Sequence, residues 1–178
     1  MRLTISGPPG SGKTTVCGKL ADALSMDAVI FGKIFRDIAY ERGLTLSELG
    51  DIAENDISID EQIDSRLLRT AAENDNIILE SRLSAYMLSK NNIPAFRIYL
   101  DASPGVRIQR IGLRDNDTPE EALIKTEERQ ASERKRYMKY YGIDIDDRSV
   151  YDLIINTDHL TPDEIVQMII NAMEVTEC

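Results

Sequence analysis

Short apolar runs alternate with amphipathic stretches along nearly the whole chain. Five runs rich in Ile, Val or Leu, each with polar or loop-like flanks, read as buried strands: Arg2–Ser6, Asp27–Phe31, Asn76–Glu80, Ala95–Leu100 and Leu153–Asn156. Helical patterns fill the intervals: Lys13–Leu24, Gly32–Glu41, a pair within Leu46–Asn74, Leu83–Ser89, Pro104–Arg114, Pro119–Tyr140 and Pro162–Glu174. The last has Ile165, Met168, Ile169 and Met173 at core spacing behind a Thr161-Pro162 start signal. Strand–helix alternation of this kind predicts an α/β layer fold with a parallel sheet. Ligands in such folds sit beyond the carboxyl ends of the strands. Ser6-Gly7, Phe31-Gly32, Glu80-Ser81-Arg82, Asp101-Ala102-Ser103 and Asn156-Thr157 are therefore expected to rim one site. With no internal repeat and no linker-like tract, residues 1–178 are expected to form a single domain.

The first strand-to-helix junction carries chemistry. Gly7-Pro8-Pro9-Gly10-Ser11-Gly12-Lys13-Thr14-Thr15 matches G-x-x-x-x-G-K-[ST] in the strand–loop–helix context which that motif requires. Glycines allow the loop to aim successive N–H groups at phosphate oxygens, and the helix start adds its own. Lys13 is expected to reach the β- and γ-phosphates of a nucleoside triphosphate, and the Thr14 hydroxyl to ligate Mg²⁺. The fold thus sharpens to a three-layer P-loop NTPase fold: a central five-stranded parallel sheet with helices on both faces. Glu80 and Asp101 each end a strand, and one of them is expected to hold Mg²⁺ through water, Glu80 being preferred. Asp101 has the alternative of capping the helix that starts at Ser103-Pro104.

The net charge of −10 changes the picture in two ways. It argues against a general nucleic-acid binder and against docking on an anionic membrane. It also makes any local basic cluster informative. Two cysteines, Cys17 and Cys178, with no expected bridge, fit a reducing compartment, and no run approaches the length of a membrane span. The expectation is a cytoplasmic, monomeric protein.

The basic cluster is made of arginine. Arg107, Arg110, Arg114, Arg129, Arg134 and Arg136 fall within thirty residues, and helical geometry puts the first three on one face, and Arg129 with Arg136 on another. Two such helices joined at Asp115–Pro119 would set guanidinium groups facing each other, an arrangement that phosphate between them would relieve. The bland alternative is a salt-bridged surface, since Glu120, Glu121, Glu127, Glu128 and Glu133 lie nearby; for Arg134 it is preferred. Arg36 and Arg82 follow the second and third strands, near the carboxyl ends where a ligand is expected; the alternative for each is a surface ion pair. Arg66, Arg69 and His159 read as solvated residues.

At this point the chain resembles nucleoside monophosphate kinases and, more closely, the archaeal type of cytidylate kinase. The resemblance rests on Leu3–Thr15, Gly32-Lys33-Ile34-Phe35-Arg36, Glu80-Ser81-Arg82-Leu83 and Tyr99-Leu100-Asp101-Ala102-Ser103. It also rests on Tyr140–Asp144 and Tyr151–Thr157, and so spans essentially the whole chain. It implies ATP and CMP or dCMP as substrates, with Mg²⁺, an acceptor-binding segment at about 32–74 and a short helical lid at about 110–136. It implies ATP contacts from Gly7, Pro8, Pro9, Gly10, Ser11, Gly12, Lys13, Thr14, Thr15 and Arg110, the last beside the adenine together with Asn156-Thr157. Arg36 and Arg82 would hold the acceptor phosphate. Arg114 would meet the phosphates, and Arg129 and Arg136 would clamp the transferring group. The residues that read the cytosine do not carry over, and Asp56, Asp60, Asp64 and Arg66 are weak candidates. AMP, UMP, dTMP or shikimate remain open as other acceptors. A guanine-nucleotide switch is disfavoured, because neither N-K-x-D nor D-x-x-G occurs.

Overall fold

The computed structural model describes residues 1–176; Cys178 lies outside the described residues. Its elements follow the hydrophobic pattern closely. They are β1 (Arg2–Ser6), α1 (Lys13–Leu24), β2 (Asp27–Ile30), α2 (Phe31–Glu41), α3 (Leu46–Ala53), α4 (Ile57–Glu73) and β3 (Ile77–Glu80). There follow α5 (Ser84–Lys90), β4 (Phe96–Asp101), α6 (Pro104–Asp115), α7 (Pro119–Tyr141), β5 (Leu153–Asn156) and α8 (Pro162–Thr176). The expected pair within Leu46–Asn74 separates where Asp56 caps α4, its side chain accepting from the Ser58 N–H. Capping boxes start α3 at Thr45 and α7 at Thr118.

The five strands pair in parallel in the order β2-β3-β1-β4-β5, which places β1 at the centre. Strand periodicity divides the core into two layers. Ile78 joins Leu3, Ile5, Ile98 and Leu100 against α1 and α8, while its neighbours Ile77 and Leu79 face α4 and α5. This is the three-layer α/β architecture that the alternation predicts. A third, smaller cluster of Ala39, Leu49, Ala53 and Ile59 holds α2, α3 and α4 together.

This topology positions the site. The chain leaves β1 onto one face through α1 and leaves β3 onto the other through α5. Adjacent strands whose connections diverge open a crevice at their carboxyl ends. Ser6-Gly7 and Glu80-Ser81-Arg82 therefore border it. Among the described residues no helix is long and apolar enough to cross a membrane.

Candidate active site

The loop after β1 turns back under tight constraint. Gly7 has φ 148°, and a Cβ there would lie 2.1 Å from the Leu100 carbonyl oxygen. Gly10 has φ 82°, and its Cβ would lie 2.7 Å from the Arg107 carbonyl oxygen, so α6 rests directly on the loop. No side chain caps α1, whose N-cap is Gly12, and no acidic residue occupies its first turn. The first N–H groups of this helix are thus left to an anion. Lys13 donates to the Pro8 carbonyl at 2.9 Å. Burial lowers its ammonium to about 8; Glu80 opposes that shift, while Arg82 and Arg129 add to it.

Thr14 and Glu80 meet across the crevice, the hydroxyl donating to Oε2 at 3.3 Å. Glu80 is buried. Asp101, the other strand-end carboxylate, is engaged elsewhere: Oδ2 pairs with Arg148 at 2.8 Å and Oδ1 accepts from the Ala102 N–H. It does not cap α6, whose N-cap is Ser103 and whose first turn receives no side-chain cap; the Ser103 N–H itself donates to Asp158. One hydroxyl beside one carboxylate suits Mg²⁺, which takes few protein ligands and keeps waters and phosphate oxygens. No cluster of three or more His, Cys, Asp or Glu side chains suited to a metal occurs among the described residues.

Arg36, Arg82 and Arg129 gather around this point. Arg82 and Arg129 share the buried carboxylate of Glu133: Arg82 Nε donates to Oε2 at 2.7 Å, and Arg129 Nε to Oε1 at 2.9 Å. Burial favours the neutral acid, but the two guanidinium groups hold Glu133 at about 2. Arg36 begins one turn into α2. A Cβ on Gly32 would be 3.8 Å from Arg36 Nη1 and 4.0 Å from Glu80 Oε1, so the start of α2 borders both side chains. No hydrogen bond or ion pair of the Arg36 guanidinium is found among the described residues. Burial and the charges of Arg129 and Arg114 press against its protonated form. Arg114 itself pairs with its neighbour Asp115 at 2.6 Å on the exposed end of α6.

Arg110 lies over the phosphate loop. Its guanidinium donates to Thr157 Oγ1 at 2.9 Å, to the Thr157 carbonyl at 2.8 Å and to the Gly10 carbonyl at 3.3 Å. Thr157 in turn donates to the Asp101 carbonyl at 3.0 Å, tying β5 to β4. Arg107 bridges Pro9 on the loop and Gln130 on α7.

Arg136 lines a cavity with Arg82, Arg129 and Glu133, but its guanidinium is bound to another partner. Only 3% exposed, it donates from Nε to Asp60 Oδ2 at 2.8 Å and from Nη1 to Ser132 Oγ at 2.7 Å. Phe35 and Tyr137 rings flank it at 5.4 and 5.5 Å. Asp64, one turn beyond Asp60, accepts from Tyr141 Oη at 2.7 Å, and burial raises its carboxyl to about 7. Asp60 and Asp64 therefore line this cavity, whereas Asp56 is a cap and Arg66 lies on the outer surface with Glu61 and Arg69. Helix α3 packs against α7 beside it, with Ser132 donating to the Gly50 carbonyl at 3.3 Å and Tyr140 to the Ala53 carbonyl at 2.7 Å.

Comparison with known proteins decides the family. The pattern that defines the cytidylate kinase-like family matches residues 2–159. The chain belongs to that family. It is 45% identical over 174 residues to the cytidylate kinase of Halobacterium salinarum, covering 98% of this chain and 90% of that protein. It is 48% identical over 159 residues to the cytidylate kinase of Methanosphaerula palustris, covering 89% of each. The shikimate kinase structure from Aquifex aeolicus superposes with a TM-score of 0.62 at 18% identity, over 99% of this chain and 98% of that one. Identity that low shows a shared fold and no more.

Within this cytidylate kinase-like chain, sequence reasoning overlooked Glu133 and the Asp60–Arg136 pair. Glu133 was grouped with the acidic residues of a solvated surface. Its spacing held a signal: four residues after Arg129 and three before Arg136, it lies on their helical face. The pairing of Asp60 with Arg136 joins α4 to α7 across 76 positions, and no local pattern announces it.

Proposed function

We propose that this chain transfers the γ-phosphoryl group of ATP to CMP, and to dCMP as a second acceptor, giving ADP and CDP or dCDP. The observation that carries the reading is the meeting of two half-sites in one crevice. The phosphate loop with Lys13 and Thr14 borders it on one side, and Arg36 and Arg82 on the other, with Arg129 between. The acceptor is a phosphate dianion and needs no general base. Lys13, Arg36, Arg82 and Arg129 align donor and acceptor and neutralise charge as it spreads over the transferring group. Arg114 joins them when phosphates draw it from Asp115. Mg²⁺ held by Thr14, with Glu80 behind it, supplies further neutralisation of the triphosphate.

The cavity beside Arg82 is assigned to the cytosine. Its Asp60 carboxylate accepts from an amino group, and Arg136 donates to ring acceptors, the polarity of the cytosine edge. Uracil presents the reverse pattern to the carboxylate. Arg136 thus serves the acceptor base in this reading, and Arg129 the phosphoryl group. Helices α6 and α7 form the cover that excludes water, and Arg110 with Thr157 borders the adenine. A monomer in the cytoplasm, free of nucleic acid, belongs to the same proposal. The test is ADP formation from ATP with and without CMP: the reading expects CMP to raise it by orders of magnitude. ADP release at the same rate without acceptor would point to a nucleotide hydrolase or switch.

A further inference from the structure

Glu133 is a charged, buried side chain to which the reaction above gives no task. It stands on α7 with 5% of its side chain exposed and joins arginines from different parts of the fold. Arg82 follows β3, and Arg129 lies one turn before Glu133 on α7. Both contacts use the Nε edge of the guanidinium: 2.7 Å from Arg82 and 2.9 Å from Arg129. Among the described residues neither arginine makes a hydrogen bond through its Nη atoms. Both arginines line the same cavity as Phe31, Ser81 and Tyr137.

A carboxylate that only neutralised charge would be best satisfied by a fork-to-fork pair with one guanidinium. Here its two oxygens are divided between two guanidinium groups. That division leaves the terminal Nη groups of both, the ones suited to phosphate, uncommitted. It also offsets the repulsion among Arg82, Arg129, Lys13 and Arg36 before any phosphate arrives.

We infer that Glu133 is a positioning residue that fixes the acceptor-side Arg82 and the cover-side Arg129 by their Nε edges, presenting their Nη groups together to the phosphoryl group in transfer. The inference rests on the kinase reading and adds a mechanical link to it. Both substrates' arginines are held by one carboxylate, so their alignment is set jointly. Glu133 stays ionised through the whole working range, since its carboxyl sits at about 2.

The experiment compares Glu133→Gln, Glu133→Asp, Arg129→Ala and the Glu133→Gln/Arg129→Ala double variant with the wild type, varying ATP and CMP separately. Gln keeps the volume but can bridge only as a neutral amide; Asp keeps the charge but is too short to span both arginines. Misalignment at the reacting centre predicts a fall in kcat of about tenfold or more for both single Glu133 variants. KM for ATP should stay within about threefold, because the loss falls on the transition state. In the double variant the Glu133 change should add little to the loss from Arg129→Ala, since both act through one link. Melting curves report folding, and Glu133→Asp carries the comparison if Glu133→Gln does not fold. Unchanged kcat, or losses that multiply fully in the double variant, would overturn the inference. A wild type inactive with every monophosphate would instead remove the kinase reading, and the inference with it.

Discussion

Thr14 and Glu80 stand 66 positions apart in the chain, yet the threonine hydroxyl donates to the Glu80 carboxylate at 3.3 Å. The contact is a product of topology: β3 is the sheet neighbour of β1, and Ile5 is in register with Glu80. It gives the phosphate loop a carboxylate at the point where the motif places Mg²⁺. Glu80→Gln is expected to raise the Mg²⁺ concentration needed for half-maximal rate by about tenfold, consistent with a contact of about 1.4 kcal/mol to the ion's water shell. A Mg²⁺ titration at saturating ATP and CMP measures this. An unchanged midpoint would remove Glu80 from the metal's surroundings.

Lys13 gives the pH dependence a definite sign. Burial lowers its ammonium from the ordinary 10.5 to about 8, so the free enzyme loses this charge as pH rises past 8. kcat/KM for ATP, which reports the free enzyme, should fall about tenfold per pH unit above that point. Bound phosphates hold the proton on, so kcat should stay level further into alkali. The stability effect runs the other way. The native pKa lies below the unfolded one, so the native state gains stability between about 8 and 10.5. Coincident breaks in kcat and kcat/KM would contradict this assignment.

Much of this arrangement was legible in the sequence, for identifiable reasons. Strand ends and helix starts follow from apolar runs and start signals such as Thr161-Pro162, and the loop motif names its own chemistry. Arg36 and Arg82 stand out in the sequence because they follow strands, and strand ends share a rim. What stayed hidden depends on contacts between distant segments. Arg136 shares a helical face with Arg129, and only the approach of α4 shows that Asp60 engages one and Glu133 the other. Glu133 looked like a surface residue because helical periodicity shows which residues share a face but not which of two crowded faces is buried.

The Asp60–Arg136 pair yields a specificity prediction. Asp60→Asn replaces an acceptor-only group with one that can also donate, as uracil O4 requires. The CMP:UMP ratio of kcat/KM should fall by about tenfold or more, since a buried polar mismatch is costly. Removing one charge of a buried pair also destabilises, by up to about 3–5 kcal/mol, so melting curves accompany the kinetics. A folded variant with an unchanged ratio would place base recognition elsewhere.

In the proposed reaction Arg129 is the cover-side group that meets the phosphoryl group in transfer. Arg129→Ala should lower kcat by on the order of 10²-fold or more, the scale of removing one preorganised charge stabiliser. Single-turnover measurements with ATP and CMP saturating isolate that step. Turnover at the wild-type rate would show that α7 covers the site without taking part.

The central claim is that the acceptor is a cytidine monophosphate. Its most direct measurement is kcat/KM across CMP, dCMP, AMP, UMP, dTMP and shikimate at fixed ATP, read as ADP released. The account predicts CMP first, dCMP next, and the others lower by about 10²-fold or more, because a cavity with Asp60 and Arg136 penalises a mismatched base edge. Clear activity with AMP and none with CMP would contradict it.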